Sequence, residues 1–181
     1  AVLDKRIACR LAIIVAGMFL AGDRRTASAW FVAAGVQDDW DRFYDCLISV
    51  GKTSEKVATA LVEMLVEKLA PGERILLGMD DSAVWPPSRY GPKVEGAGVH
   101  HNPTPGPADG EWLYGHNWVT LAWLEKHPLW GVIALPLRSM LYVREVDVPK
   151  LPDKHDWEFR TKHKLGVKLM QCFINTIRSL G

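Results

Sequence analysis

From residue 1 to 70 the chain contains no proline, and its apolar residues recur at helical spacing. Leu11 to Leu20 is apolar round most of a helical circumference, which predicts a helix central to its bundle. Gly22-Asp23 closes it. Thr26 suits the cap of a second helix, Ala27 to Ala34, with Gly35 at its C-terminal end. Asp38 or Asp39 opens a third, whose stripe Trp40, Phe43, Tyr44 and Leu47 follows i, i+3, i+4, i+7. Gly51 ends that helix. Thr53 or Ser54 opens a fourth, with Val57, Leu61, Met64, Leu65 and Leu69 on one face.

Beyond residue 70 the period changes. Pro71-Gly72 introduces a short apolar run, Ile75 to Met79, bounded like a buried strand and ending in Asp80-Asp81-Ser82. Trp85-Pro86-Pro87 forbids its continuation. Val84 to Gly110 is crowded with Gly and Pro and has no period, so it reads as an extended loop. Trp112 to Leu124 is apolar at both alternating sets of positions, the mark of a strand covered on two faces. Glu125-Lys126-His127-Pro128 reads as a turn, and Leu129 to Leu137 as the partner strand of a hairpin. Ser139 to Val143 extends that strand or forms another. After a loop holding Pro149 and Pro152, Asp153 or Asp156 caps a final helix. Phe159, His163, Val167, Met170, Phe173, Ile174 and Ile177 form its apolar side, and Arg160, Lys162, Lys164, Lys168 and Arg178 its basic, solvated side.

Composition narrows the class only a little. With 181 residues, 48% of them hydrophobic and 24% charged, the chain is long enough for one large domain or two small ones with real cores. A net charge of +1 argues against a surface coated in basic residues. The three cysteines, Cys9, Cys46 and Cys172, are widely spaced and odd in number, which supports neither a disulfide framework nor a zinc ribbon. Lys5, Arg6 and Arg10 before an apolar run, with Ala27-Ser28-Ala29 after it, imitate a secretory signal, but Arg24 and Arg25 lie where such a signal avoids cations. The segment therefore reads as a buried helix. The chain opens on Ala1 rather than Met, which predicts a piece of a longer protein.

The candidate chemistry centres on Asp80 and Asp81. A carboxylate at the mouth of a buried strand is costly unless something stabilises it, and a hard divalent cation does so well. The competing reading is an ordinary Asp-initiated turn. His100, His101 and His116 invite zinc, but adjacent histidines on an extended chain point apart, and no cysteine is near. The second and third helices have a helix-turn-helix outline. Asp38, Asp39, Asp41 and Asp45 would repel phosphate there, which favours a purely structural bundle. Any DNA contacts in this part fall to Arg24, Arg25 and Arg42.

The block Leu76-Leu77-Gly78-Met79-Asp80-Asp81-Ser82, followed by Gly91-Pro92-Lys93-Val94-Glu95-Gly96-Ala97-Gly98-Val99-His100-His101, resembles the DDE superfamily transposases, endonucleases of bacterial insertion sequences. Gly115-His116-Asn117-Trp118-Val119 and Ala134-Leu135-Pro136-Leu137 resemble that family's next two strands, and Arg24-Arg25-Thr26 fits its helical N-terminal region. The resemblance implies an α/β (α+β) chain. A helical, DNA-binding domain over 1–70 precedes the first strands and first helix of an RNase H-like fold over 71–181. It implies a metal-dependent DNA strand transferase in which three carboxylates hold Mg²⁺ (or Mn²⁺), Asp80 or Asp81 being the first; the Asp-x-Ser spacing favours Asp80. Arg89 and Lys93 join Arg24, Arg25 and Arg42 as expected DNA contacts. Double-stranded DNA of transposon ends is the implied partner, a homodimer the implied working form and the cytoplasm the implied location.

The chain departs from the family where the other two carboxylates should be. They belong after the helix that ends near Leu180, so this polypeptide is expected to carry one third of the triad and to be inactive alone. A DNA-binding module that grips without cutting, or an interaction fragment with no affinity for nucleic acid, are the competing expectations.

Overall fold

The computed structural model describes residues 2–22, 26–69, 74–84, 94–107, 110–152 and 157–180. The chain is a mixture of helices and antiparallel sheet, in the order α1 (Lys5–Leu20), α2 (Ala27–Ala33), α3 (Trp40–Lys52), α4 (Ser54–Leu69), β1 (Leu77–Val84), β2 (Gly98–His101), β3 (Trp112–His127), β4 (Gly131–Tyr142) and α5 (Lys162–Leu180). It divides into two compact units, Ala1–Leu61 and Val62–Gly181, and the division falls inside α4. Among the described residues no helix is long and apolar enough to cross a membrane.

In the first unit, local chemistry sets the helix ends. Asp4 caps α1 by accepting from Arg6 N, and Thr26 caps α2 by accepting from Ala29 N. Gly35, at φ 71°, takes the left-handed turn that follows α2. A 3-10 turn over Gln37–Asp39 leads into α3. The core is Ile14, Phe31, Phe43 and Cys46, with Trp40 edge-on to Phe31 at 5.7 Å. Gly17 is where α1 and α2 meet: a Cβ there would collide with the Trp30 carbonyl. α1 packs on both α2 and α3, as a central helix should, but the expectation of burial all round it is corrected. Only Ile14 and Gly17 are buried in it, while Val15, Met18 and Leu20 are exposed and Phe19 is 86% exposed. Apolar residues all round the helix had implied burial all round. α2 and α3 both pack on α1, but on one face of it, through Ile7, Leu11, Ile14 and Gly17.

In the second unit β3 is the spine. It pairs antiparallel with β1 along 116–123, with β4 along 117–127 and with the short β2 along 112–115. Odd-numbered residues of β3, from Leu113 to Trp123, are buried; even-numbered ones are half-buried or exposed. Two-sided coverage of this strand is thus corrected to one-sided. The buried face meets α5 through Leu165, Leu169 and Phe173, and the end of α4 through Val62.

Other expectations shift as well. The carboxylates do not start a turn, because β1 runs on through Asp80 and Asp81 to Val84. The supposed turn at Glu125–His127 is still strand; the chain reverses over 128–130, and Gly131, at φ 74°, follows. Residues 131–142 form one strand. Its register against β3 slips by one residue between Leu121 and Ala122, where Leu121 faces Arg138 and Ala122 faces Pro136. Leu137 is the additional residue and is buried. The expected 84–110 loop contains β2. The expected loop at Pro149 is a 3-10 turn, Glu145–Lys150. Asp153 and Asp156 lie outside the described residues. The final helix begins at Lys162, with Thr161 Oγ1 accepting from Lys164 N at 3.2 Å, so Phe159 precedes it.

Candidate functional site

Neighbouring side chains on a strand leave it on opposite faces. Asp80 pairs with Thr120, whose hydroxyl lies 2.8 Å from that of Ser139 on the more open face of the sheet. Its own Oδ1 accepts from the Asp81 backbone N–H at 2.8 Å. Asp81 pairs with the buried Val119, so its carboxylate stands on the face that α5 covers. The two carboxylates do not converge on one point.

Asp81 is the one that is held. Its Oδ2 accepts from Lys162 Nζ at 2.6 Å and from Asn117 Nδ2 at 3.0 Å. Lys162 is the first residue of α5, and its ammonium lies 5.4 Å from the centre of the Tyr142 ring. Asn117 sits on β3 opposite Tyr142 on β4, and is only 2% exposed. His100 of β2, 6% exposed, is also at this end of the sheet, its ring 6.1 Å from that of Tyr142. Four strands and one helix therefore each contribute a polar or aromatic group.

Two of these groups carry buried atoms without a hydrogen-bond partner among the described residues: Asn117 Oδ1 and His100 Nε2. Such atoms are uncommon in a folded interior and call for a ligand, a water or an ion. Charge in the cluster is finely set. Burial pushes the Asp81 carboxyl up, but hydrogen bonds from Lys162 and Asn117 and the Lys162 charge outweigh it, and the net shift is downward. Burial holds the His100 imidazole below its ordinary value, and the positive charges of Arg144 and Lys162 push it the same way.

Beside this cluster Asp147 is buried and paired twice, with Arg144 Nε and Lys150 Nζ, each at 2.6 Å. These pairs hold its carboxyl below the ordinary carboxylate value, the Arg144 hydrogen bond being the largest influence. A Cβ on Gly98 would stand 2.7 Å from Asp147 Oδ2, so glycine in β2 is what lets the 3-10 turn lie so close.

The other expected site residues stand as follows. Arg24, Arg25, Arg89 and Lys93 lie outside the described residues. Arg42 is exposed on α3 and 3.4 Å from Asp39. His101 is exposed, and His116 Nε2 lies 2.8 Å from the Glu95 carbonyl, so the three histidines do not gather. Among the described residues no three His, Cys, Asp or Glu side chains form a group that could hold a metal ion. Sequence reasoning missed Asn117 and Lys162. The signal for Asn117 was an amide at a position whose parity matches the apolar residues Val119, Leu121 and Trp123. Lys162 carried none, being one of many cations on an amphipathic helix.

Comparison of the chain with family models, with curated proteins and with solved structures finds no match.

Proposed function

We propose that this chain is the N-terminal portion of a metal-dependent DNA transposase, contributing DNA contacts and the first of three catalytic carboxylates. The observation that carries the reading is Asp81. It is a carboxylate on β1, turned to the helix-covered face and surrounded by polar groups from β2, β3, β4 and α5. The topology supports it. β1, β3 and β4 are antiparallel neighbours followed by a helix packed on them, the order in which an RNase H-like fold begins. Among the described residues β1 pairs with β3 alone, which leaves its other edge for a later strand.

The ion this reading calls for is Mg²⁺ or Mn²⁺. A carboxylate and the spare amide oxygen of Asn117 are hard oxygen ligands, and so small a protein set fits an ion that keeps several of its waters. Asp81 would hold the ion, with Asn117 beside it; carboxylates from further along the parent chain would complete the set. When bound, the ion stabilises charge at the reacting phosphodiester. This chain's own residues do the rest. Asp81 presents the anchoring charge, and Asn117, buried beside it, fixes its rotamer. Asp80, on the opposite face, is not part of that set.

The test is binding of a duplex at two salt concentrations, with and without Mn²⁺. The transposase reading expects salt-dependent affinity that Mn²⁺ strengthens in the wild-type chain and not in Asp81→Asn. Salt-dependent binding indifferent to Mn²⁺ would instead identify a DNA-binding module that does not cut. No binding at all would sink both.

A further inference from the structure

α1 carries more apolar surface than its own unit covers. Ile7, Leu11, Ile14 and Gly17 face α2 and α3. Turned about half a circle from them are Lys5, Ala8, Ala12, Val15, Ala16 and Phe19, at the spacing of one helical face. All six are exposed, Phe19 at 86% and Val15 at 41%. From Ala8 to Phe19 this face holds no charged or hydrogen-bonding side chain. A helix apolar on every side belongs inside something larger.

Size and charge both vary along the face. Its small residues Ala8 and Ala12 lie in the first half of α1, and its large ones, Val15 and Phe19, in the second. Laid antiparallel on a second copy of itself, with the two-fold axis between positions 13 and 14, Phe19 meets Ala8 and Val15 meets Ala12. Each large side chain then has a small one opposite, the condition for close packing. A parallel pair would set Phe19 on Phe19 and Lys5 on Lys5. The cations of α1, Lys5, Arg6 and Arg10, stand in its first half, and its last turn has none. The antiparallel pair brings each basic start to the other copy's C-terminal end, where the helix dipole is negative. Size and charge select the same arrangement.

We propose that α1 is the seam of a two-fold dimer, packed antiparallel against α1 of a second copy of this chain. The contact is isologous, so Phe19 and Ala8 each contribute twice. It does not depend on the metal-dependent reading above.

The experiment is sedimentation velocity of the full chain over a wide range of concentration, on wild type, Phe19→Ser, Ala8→Phe and the double variant Ala8→Phe/Phe19→Ala. Wild type is expected to sediment as a dimer. Phe19→Ser and Ala8→Phe should each weaken dimerisation about tenfold or more, the cost of losing one well-packed anchor. Ala8→Phe does so by setting ring against ring. The double variant exchanges large for small and should recover the dimer. Should Phe19→Ser fail to fold by circular dichroism, Ala8→Phe and the double variant decide. A monomer at every concentration overturns the proposal; if that monomer floats with phosphatidylcholine vesicles, the face belongs to a lipid surface instead. A dimer that a folded Phe19→Ser leaves intact, or that Ala8→Phe does not weaken, overturns it as well.

Discussion

Asp80 and Asp81 are consecutive in β1, yet one faces Thr120 on the open side of the sheet and the other Val119 beneath α5. A single ion cannot use both. Substituting each by Asn separates them: Asp81→Asn should remove the Mn²⁺-dependent gain in duplex affinity, and Asp80→Asn should keep it. Neither change should unfold the chain, since half-exposed ion pairs contribute about 0–1 kcal/mol. Loss of the Mn²⁺ effect in Asp80→Asn alone would place the metal on the wrong face for this account.

Gly98→Ala should destabilise the second unit by about 1–3 kcal/mol, the usual cost of forcing a methyl into filled space. The new Cβ would press on Asp147 Oδ2, which already bonds Arg144 and cannot retreat without breaking a buried pair. Urea denaturation would register it as a lowered midpoint with an unchanged slope. Asp147→Ala should cost about 2 kcal/mol by the same assay, the value of hydrogen bonds to a charged group.

His100 supplies a pH dependence. Its folded-state pKa lies below the ordinary 6.5, so the unfolded chain binds the proton more readily. The contribution to stability is therefore complete above pH 6.5 and is lost as pH falls from there through the folded value. His100→Gln should flatten that part of the curve. Thermal unfolding followed at several pH values between about 7 and 5 would show it, given the ordinary imidazole range. An identical slope in both chains would mean that His100 is not the group responsible.

The helical unit has its own test at Gly17. A methyl there meets the Trp30 backbone carbonyl, and backbone yields less readily than a side-chain tip. Gly17→Ala should weaken the packing of α1 on α2 by about 1–3 kcal/mol despite alanine's better helix propensity. Near-ultraviolet circular dichroism from Trp30 and Trp40 would report the loosened contact. A gain in stability would show that the two helices have room to part.

The sequence was most legible where structure is local. Thr26 and Gly35 bracket α2 because capping needs only a few neighbouring residues. The stripe Trp40, Phe43, Tyr44, Leu47 marked α3 because one turn of helix repeats the pattern. Legibility failed where a distant partner decides. Glu125 to His127 look like a turn, but they are strand because β4 reaches them from 131 to 133. β2 was hidden in a Gly-rich stretch because its four residues are strand only by virtue of β3. The site shows the same division. Asp80 and Asp81 stood out as carboxylates closing an apolar run. Lys162 lies eighty-one positions from its partner Asp81, and nothing near either residue announces the pairing.

The offset between Leu121 and Ala122 changes which residues of β4 look inward. On the Tyr142 side of it the even positions, Met140 and Tyr142, join the covered face; on the other side the odd positions, Leu135 and Leu137, do. In an unbroken ladder Trp123 would face Pro136 instead of Leu135, and both leucines would turn to water. One strand thus borders a polar cluster at one end and the apolar core at the other. Deleting Leu137 would restore perfect alternation and leave Arg138, opposite Leu121, as the residue that must settle against the helices.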